Sequence, residues 1–182
     1  MNTGNKVVLL FSGGVDSSVL LYALIAAGYD VHTMAVDYGQ RHRKELDAAR
    51  AIALAARIDN HQVADLRTIA PLLAGNALTS PNVAVPLGHY EDEAMKQTVV
   101  PNRNMILLSV ATAYAISSGS YAVAYAAHGG DHAIYPDCRA EFADALARAM
   151  DLCDWERVDL LRPFVSLTKS DIVRCGAGDG SH

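Results

Sequence analysis

The residues of this chain best suited to chemistry stand at Ser12-Gly13-Gly14-Val15-Asp16-Ser17, after a short apolar run and before a helical pattern. Adjacent glycines let a backbone turn tightly and approach a ligand closely. The helix start that follows offers unpaired N–H groups and the positive end of a dipole. Together these make a nest for an anion such as phosphate, which the Ser12 and Ser17 hydroxyls can extend. Asp16 fits beside a phosphate if it holds a Mg²⁺ ion or caps the helix. No Gly-Lys-Ser/Thr follows, so this is not a Walker loop, and it is not G-x-G-x-x-G. A capped strand-to-helix turn with no ligand would use the same residues.

Three further segments are dense in polar groups. Asp37-Tyr38-Gly39-Gln40-Arg41-His42 packs an acid, an aromatic ring and a basic pair into one strand end. Arg41 and His42 oppose the dipole of the helix they start, which a bound anion would relieve; a turn with a solvated basic face is the plainer reading. In Pro101-Asn102-Arg103-Asn104, Asn102 is an N-cap candidate, and Arg103 is suited to forked recognition of carboxylate or phosphate, or to a structural ion pair. The last segment, His128-Gly129-Gly130-Asp131-His132-Ala133-Ile134-Tyr135-Pro136-Asp137-Cys138-Arg139, allows close backbone approach at its glycines. Its histidines are not an H-E-x-x-H pair, which argues against a histidine metal site. Asp137 and Arg139 could read the polar edge of a flat heterocycle.

Strands alternating with helices must position these segments. Lys6–Phe11 is a continuous apolar run, as expected of a strand covered on both faces. Further strands are expected at 31–36, 61–64, 121–126 and 158–161. Helices are expected from the glycine loop to a stop at Gly28, over 41–57, over 102–117, over 138–150 with Asp137 as N-cap, and over 168–174. Residues 68–100, interrupted by Pro71, Pro81 and Pro86, read as a long excursion over the carboxyl end of the sheet. The pattern predicts an α/β fold, a doubly wound parallel sheet whose ligands bind outside the carboxyl ends of the strands.

Composition narrows the classes. The 182 residues are 51% hydrophobic and 19% charged, with a net charge of −5, which suits one folded domain over 1–182 with a tail at 176–182. No apolar stretch approaches a membrane span, and the first residues lack a signal-peptide pattern, so a cytoplasmic location is expected. Cys138, Cys153 and Cys175 imply no disulfide framework and no C-x-x-C zinc site. The acidic balance disfavours direct nucleic-acid binding.

The loop at 12–17 resembles the pyrophosphate-binding signature SGGxDS of the PP-loop ATP pyrophosphatases, which implies an adenine nucleotide alpha hydrolase-like fold. There the loop holds the β,γ-pyrophosphate of ATP while a substrate oxygen attacks the α-phosphorus. YGQRH, PNRN and GGDHAIYPDCR, in this order, further resemble the 7-cyano-7-deazaguanine synthase (QueC) family, over nearly all of residues 5–175. The resemblance implies a ligase that converts 7-carboxy-7-deazaguanine and ammonia to the nitrile preQ0 with ATP, on the route to queuosine. It implies an ATP segment of Phe11, Ser12, Gly13, Gly14, Val15, Asp16, Ser17, Ser18, Val19, Leu20 and Leu21. Asp37, Tyr38, Gln40 and His42 would lie near the nucleotide and the reacting carboxylate. Arg103, Asn104, Gly130, Asp131, Tyr135, Asp137 and Arg139 would line the deazaguanine side, and Lys169 would approach the triphosphate. Asp16, Lys169 and His42 would be the catalytic set. Mg²⁺ is expected with the triphosphate, free ammonia as the nitrogen source, and a homodimer is compatible with the resemblance. Family members carry a cysteine cluster for structural Zn²⁺ beyond the Lys169 helix. Here only Cys175 falls near it, and one cysteine cannot make a Cys₄ site. The C-terminal zinc-binding module is therefore expected to be missing, with no intact metal site in the chain as given. Competing readings are another PP-loop amide-forming or tRNA-modifying enzyme, and a non-catalytic ATP-binding module.

Overall fold

The computed structural model describes residues 4–39, 44–73, 100, 102–131 and 135–178. In chain order the elements are β1 (Lys6–Leu10), α1 (Val15–Ala26), β2 (Asp30–Asp37), α2 (Lys44–Ala55), β3 (His61–Asp65), α3 (Arg103–Ser118), β4 (Ala122–Ala124), α4 (Ala140–Met150), β5 (Asp159–Leu161) and α5 (Lys169–Ala177). Short 3₁₀ turns occur at Arg67–Leu73, Gly129–Asp131 and Pro136–Cys138.

The five strands form one parallel sheet in the order β3-β2-β1-β4-β5. Side chains of β1 alternate between its faces, and Val7, Val8 and Leu9 are all fully buried. Val7 and Leu9 pack with Leu20, Leu21 and Leu24 of α1, Ala49 and Ala53 of α2, and Ile172 of α5. Val8 packs on the other face with Leu108, Ala111 and Ala115 of α3 and Leu146 and Met150 of α4. Helices thus cover both faces, as the apolar run of β1 requires. The connections from β1 and from β4 leave toward opposite faces, which makes the gap between these strands the switch point where such sheets bind ligands.

Several boundaries differ from the sequence expectations. β1 stops at Leu10, although Phe11 N still donates to Met34 O (2.8 Å). Helix α2 begins at Lys44 among the described residues and ends at Ala55, because Arg57 turns left-handed (φ 57°). The expected strand over 121–126 is reduced to Ala122–Ala124. Asp137 is not the N-cap of α4. It lies in the Pro136–Cys138 turn, and Arg139 holds the N-cap position without a side-chain bond. Gly28 follows the C-cap of α1 at φ +83°, as a helix stop does. Of the expected excursion, Arg67–Leu73 is a 3₁₀ turn containing Pro71, and 74–99 lie outside the described residues.

Candidate active site

The two glycines after β1 do different work. Gly13 has φ +76°, and a Cβ there would lie 2.6 Å from Ala49 N and 2.9 Å from Ala49 Cα, so it lets the loop lie directly on the backbone of α2. Gly14 is extended (φ −74°, ψ 166°) and occupies the N-cap of α1, where no side chain caps the helix. The first intrahelical bond is Ser18 N to Gly14 O (3.0 Å), which leaves the N–H groups of Val15, Asp16 and Ser17 outside the helix ladder. The serines brace the loop rather than widening the nest. Ser12 Oγ accepts from Gly14 N (3.2 Å) and shares a hydrogen bond with Ser17 Oγ (3.1 Å), while Ser17 and Ser18 hydroxyls donate to Gly14 O.

Asp16 is the electrostatic centre of this end. Its Oδ2 lies 3.6 Å from His128 Nε2 and 3.8 Å from Lys169 Nζ. Its Oδ1 is buried and has no hydrogen-bond partner among the described residues. Lys169 is the first residue of α5, where a cation opposes the dipole, and Asp16 offsets that cost. Its placement is set by a capping box, in which Thr168 N donates to Asp171 Oδ2 (3.0 Å) and Asp171 N donates to Thr168 Oγ1 (3.3 Å). The Thr168 hydroxyl and N–H hold the Asp171 carboxyl below the usual carboxylate range.

A cavity of about 320 Å³ opens beside the loop, at the carboxyl ends of β1, β2 and β4. One wall carries Ser12, Gly14, Asp16 and Ser17. The facing wall carries Tyr38, Arg103, Asn104 and Cys138, with Phe11, Leu107 and Tyr125 supplying apolar surface. Arg103 opens α3, its guanidinium 5.7 Å from the Tyr135 ring centroid and donating to the Tyr38 phenol oxygen. Burial alone would push the Arg103 pKa down. Tyr38, Asp137 and Cys138 outweigh it and raise the net value, so the charge persists.

Asp137 caps α3 from 33 residues away. Its Oδ2 accepts from Asn104 N (2.8 Å), and Asn104 Nδ2 donates to Asp137 O (3.0 Å) and Cys138 Sγ (3.2 Å). Asn102, expected as that cap, is in the N-cap position with a left-handed backbone (φ 58°) and makes no side-chain cap bond. Asp37 Oδ1 accepts from Gly39 N (3.0 Å), with Arg67 Nε 3.7 Å from Oδ2.

The structure therefore brings together Phe11, Ser12, Gly14, Asp16, Ser17, Tyr38, Arg103 and Asn104 around one cavity. Lys169 reaches it through Asp16. Leu20 and Leu21 belong to the core beneath α1, so they support the loop and do not face a ligand. Val15 is exposed, and Val19 packs where a Cβ on Gly176 of α5 would stand. Tyr135 and Asp137 stand behind Arg103 and Asn104 rather than on the cavity wall, and Arg139 is exposed. Gly130 and Asp131 lie in the turn after β4, and Gln40 and His42 lie outside the described residues. Sequence reasoning missed His128, set aside as a metal ligand, and Tyr125, the single large residue in Ala124-Tyr125-Ala126-Ala127. Tyr125 is buried, its hydroxyl has no hydrogen-bond partner among the described residues, and burial pushes its pKa up to about 12. No helix among the described residues is long and apolar enough to cross a membrane.

Known proteins agree with this architecture at two levels. The solved structure of a predicted subunit of a tRNA methyltransferase from Methanocaldococcus jannaschii has a TM-score of 0.60 at 16% identity, covering 94% of this chain and 74% of that one. The NH3-dependent NAD synthetase from Campylobacter jejuni has a TM-score of 0.56 at 16% identity, covering 99% and 66%. At such identity these matches establish the fold alone. Sequence comparison goes further. The chain is 49% identical over 176 residues to a 7-cyano-7-deazaguanine synthase of Hahella chejuensis, covering 97% of this chain and 75% of that protein. It is 48% identical over 175 residues to one from Methanoregula boonei, covering 96% and 80%. Residues 6–181 match the family described as queuosine biosynthesis protein QueC, and with relatives this similar over most of their length the chain belongs to that family.

Proposed function

We propose that this enzyme makes 7-cyano-7-deazaguanine from 7-carboxy-7-deazaguanine and ammonia at the expense of ATP. A carboxylate oxygen attacks the α-phosphorus, pyrophosphate leaves, and the acid becomes an acyl adenylate. Ammonia adds to the acyl carbon, AMP departs with its oxygen, a proton is lost, and the amide forms. The amide oxygen then attacks the α-phosphorus of a second ATP, pyrophosphate and a nitrogen proton leave, and the adenylated imidate loses AMP and a second proton to give the nitrile. The protein's share is to place the reactants and neutralise developing charge.

One observation carries the reading: the uncapped helix start behind Gly14 and the half-buried cation of Arg103 line opposite walls of one cavity at the switch point. In this reading the Val15–Ser17 amides take the terminal phosphates, with Lys169 beside them, and the apolar surface around Phe11 takes the base. Arg103, Asn104 and Tyr38 orient the acid, with Tyr135 and Asp137 holding them in place. Roles for Gly130, Asp131, Arg139, Asp37, Gln40 and His42 rest on the family pattern. The orphaned Asp16 Oδ1 fits Mg²⁺, which uses one or two carboxylates together with phosphate oxygens. When bound there with the triphosphate, Mg²⁺ supplies neutralisation of its charge. For zinc the residues do not fit: among those described, no three His, Cys, Asp or Glu side chains come together, and no step runs through it. Free ammonia as nitrogen donor, a single domain, a cytoplasmic location and a homodimer belong to the same reading.

The test is mass-spectrometric detection of the nitrile from the acid, ammonium and MgATP with the 182-residue chain. Pyrophosphate release must depend on the acid, and multiple-turnover formation of AMP and nitrile must require both acid and ammonium. ATP binding with no acid-dependent pyrophosphate release would instead mark a nucleotide-binding module.

A further inference from the structure

His128 follows β4 and is buried, with 6% of its surface exposed. Its Nδ1 accepts the Gly130 N–H at 3.1 Å, and its Nε2 stands 3.6 Å from Asp16 Oδ2. A ring nitrogen that accepts an N–H carries no proton, so in the neutral ring the proton sits on Nε2, on the Asp16 side.

The neighbouring glycines make this arrangement possible by close approach, since neither has a left-handed φ. Gly129 N donates to Leu167 O (2.8 Å), and a Cβ on Gly129 would come within 3.1 Å of that oxygen. A Cβ on Gly130 would meet His128 Cε1 at 3.0 Å and Nδ1 at 3.1 Å. The turn is thereby clamped between the segment leading to Lys169 and the imidazole ring.

We propose that His128 is a positioning residue: locked as the Nε2–H tautomer by Gly130, it orients the Asp16 carboxylate of the ATP loop. His128 and Lys169 both approach Oδ2, which leaves Oδ1 as the oxygen available to the metal–triphosphate. The assignment deepens the ATP-dependent reading of the cavity and rests on it. It also ties the turn that begins the acceptor motif to the nucleotide loop by a chain of two polar contacts.

Two measurements test it. In ¹⁵N-labelled full-length protein at neutral pH, long-range ¹H–¹⁵N spectra should show His128 with Nε2 protonated and Nδ1 bare, the signal being assigned by its loss in H128Q. A Nδ1–H tautomer or a fast-exchanging mixture would overturn the proposal, and this readout needs neither substrate nor turnover. The second compares H128Q, which keeps an N–H donor within reach of Asp16, with H128N, which keeps only the acceptor for Gly130. For a misplaced reacting group, kcat for AMP formation should fall roughly 10- to 100-fold in H128N, with partial rescue in H128Q and little change in KM for the acid. Equal losses in both variants, or wild-type kcat in H128N, would refute it. If wild-type protein forms no acid-dependent AMP, the functional reading fails instead, and the tautomer still decides this one.

Discussion

Replacing Gly13 with alanine should injure the protein twice. At φ +76° a residue with a Cβ is strained by about 1–2 kcal/mol. The added carbon would also sit 2.6 Å from Ala49 N, 2.9 Å from Ala49 Cα and 3.0 Å from Glu45 O. These are backbone atoms of α2, which cannot rotate aside, so the loop or the helix must move, and overpacking of this kind costs about 1–3 kcal/mol. The sum, about 2–5 kcal/mol, corresponds to a fall in Tm of roughly 5–20 °C for a chain of this size. Calorimetric or circular-dichroism melting reads that change, and titration of ATP should show weaker binding because the first-turn amides of α1 are displaced with the loop. G14A is the control. Gly14 has φ −74°, and its added carbon would meet only the Ser12 hydroxyl at 3.3 Å, so its Tm should stay near wild type. A G13A protein melting within ~2 °C of wild type, or a G14A protein less stable than G13A, would refute the packing argument.

Asp16→Ala should abolish AMP formation while leaving the melting temperature near wild type, since among the described residues the side chain meets only His128 and Lys169, at 3.6 and 3.8 Å; unchanged turnover would remove the loop's assigned role. Asp137→Ala should cost about 1–2 kcal/mol in urea unfolding, because α3 loses its cap, and should raise KM for the acid more than KM for ATP. Wild-type values of both parameters would separate Asp137 from the acceptor side. Tyr125→Phe removes a buried hydroxyl with no hydrogen-bond partner among the described residues, so stability at neutral pH should hold or rise by about 1 kcal/mol. The alkaline limb should also change. The folded phenol titrates at about 12 against ~10 when unfolded, so its contribution is complete below ~10 and lost as pH rises toward 12. Urea midpoints measured across that window should fall less steeply in the variant, and an identical slope would contradict the burial argument.

What was legible in the sequence is what depends on near neighbours. Lys6–Phe11 reads as a strand covered on both faces because the five residues after Lys6 are all apolar, and Val7, Val8 and Leu9 are so buried. The glycine loop reads as a turn from strand to helix because the pattern of small residues is itself the geometry, whereas the absence of a side-chain cap and the inward bracing by the serines emerge only in the structure. Arg103 stands out as a cation entering an apolar helix, and it does face the cavity. Asp137 misled because a carboxylate just before a helical pattern looks like that helix's cap, whereas it caps a helix that begins 34 residues earlier. His128 misled for a related reason. Its partner Asp16 is adjacent only after β1 and β4 pair, and no spacing rule within the histidine segment points there. The strand around Tyr125 was overextended because alanines favour no particular end, and pairing with β1 ends at Ala124, ahead of the cavity.

The place of β1 in the sheet has a consequence for how the chain is made. Its partner on one side, β2, follows within the next 30 residues, but its partner on the other, Ala122–Ala124, is synthesised more than a hundred residues later. At ordinary ribosomal speeds of about 5–20 residues per second, this apolar strand keeps one bare edge for roughly 5–20 s. An open apolar edge is a template for unwanted strand pairing. The nascent chain is therefore at its most aggregation-prone after the glycine loop has emerged and before β4 exists, and a chaperone that shields this protein would do most good in that interval.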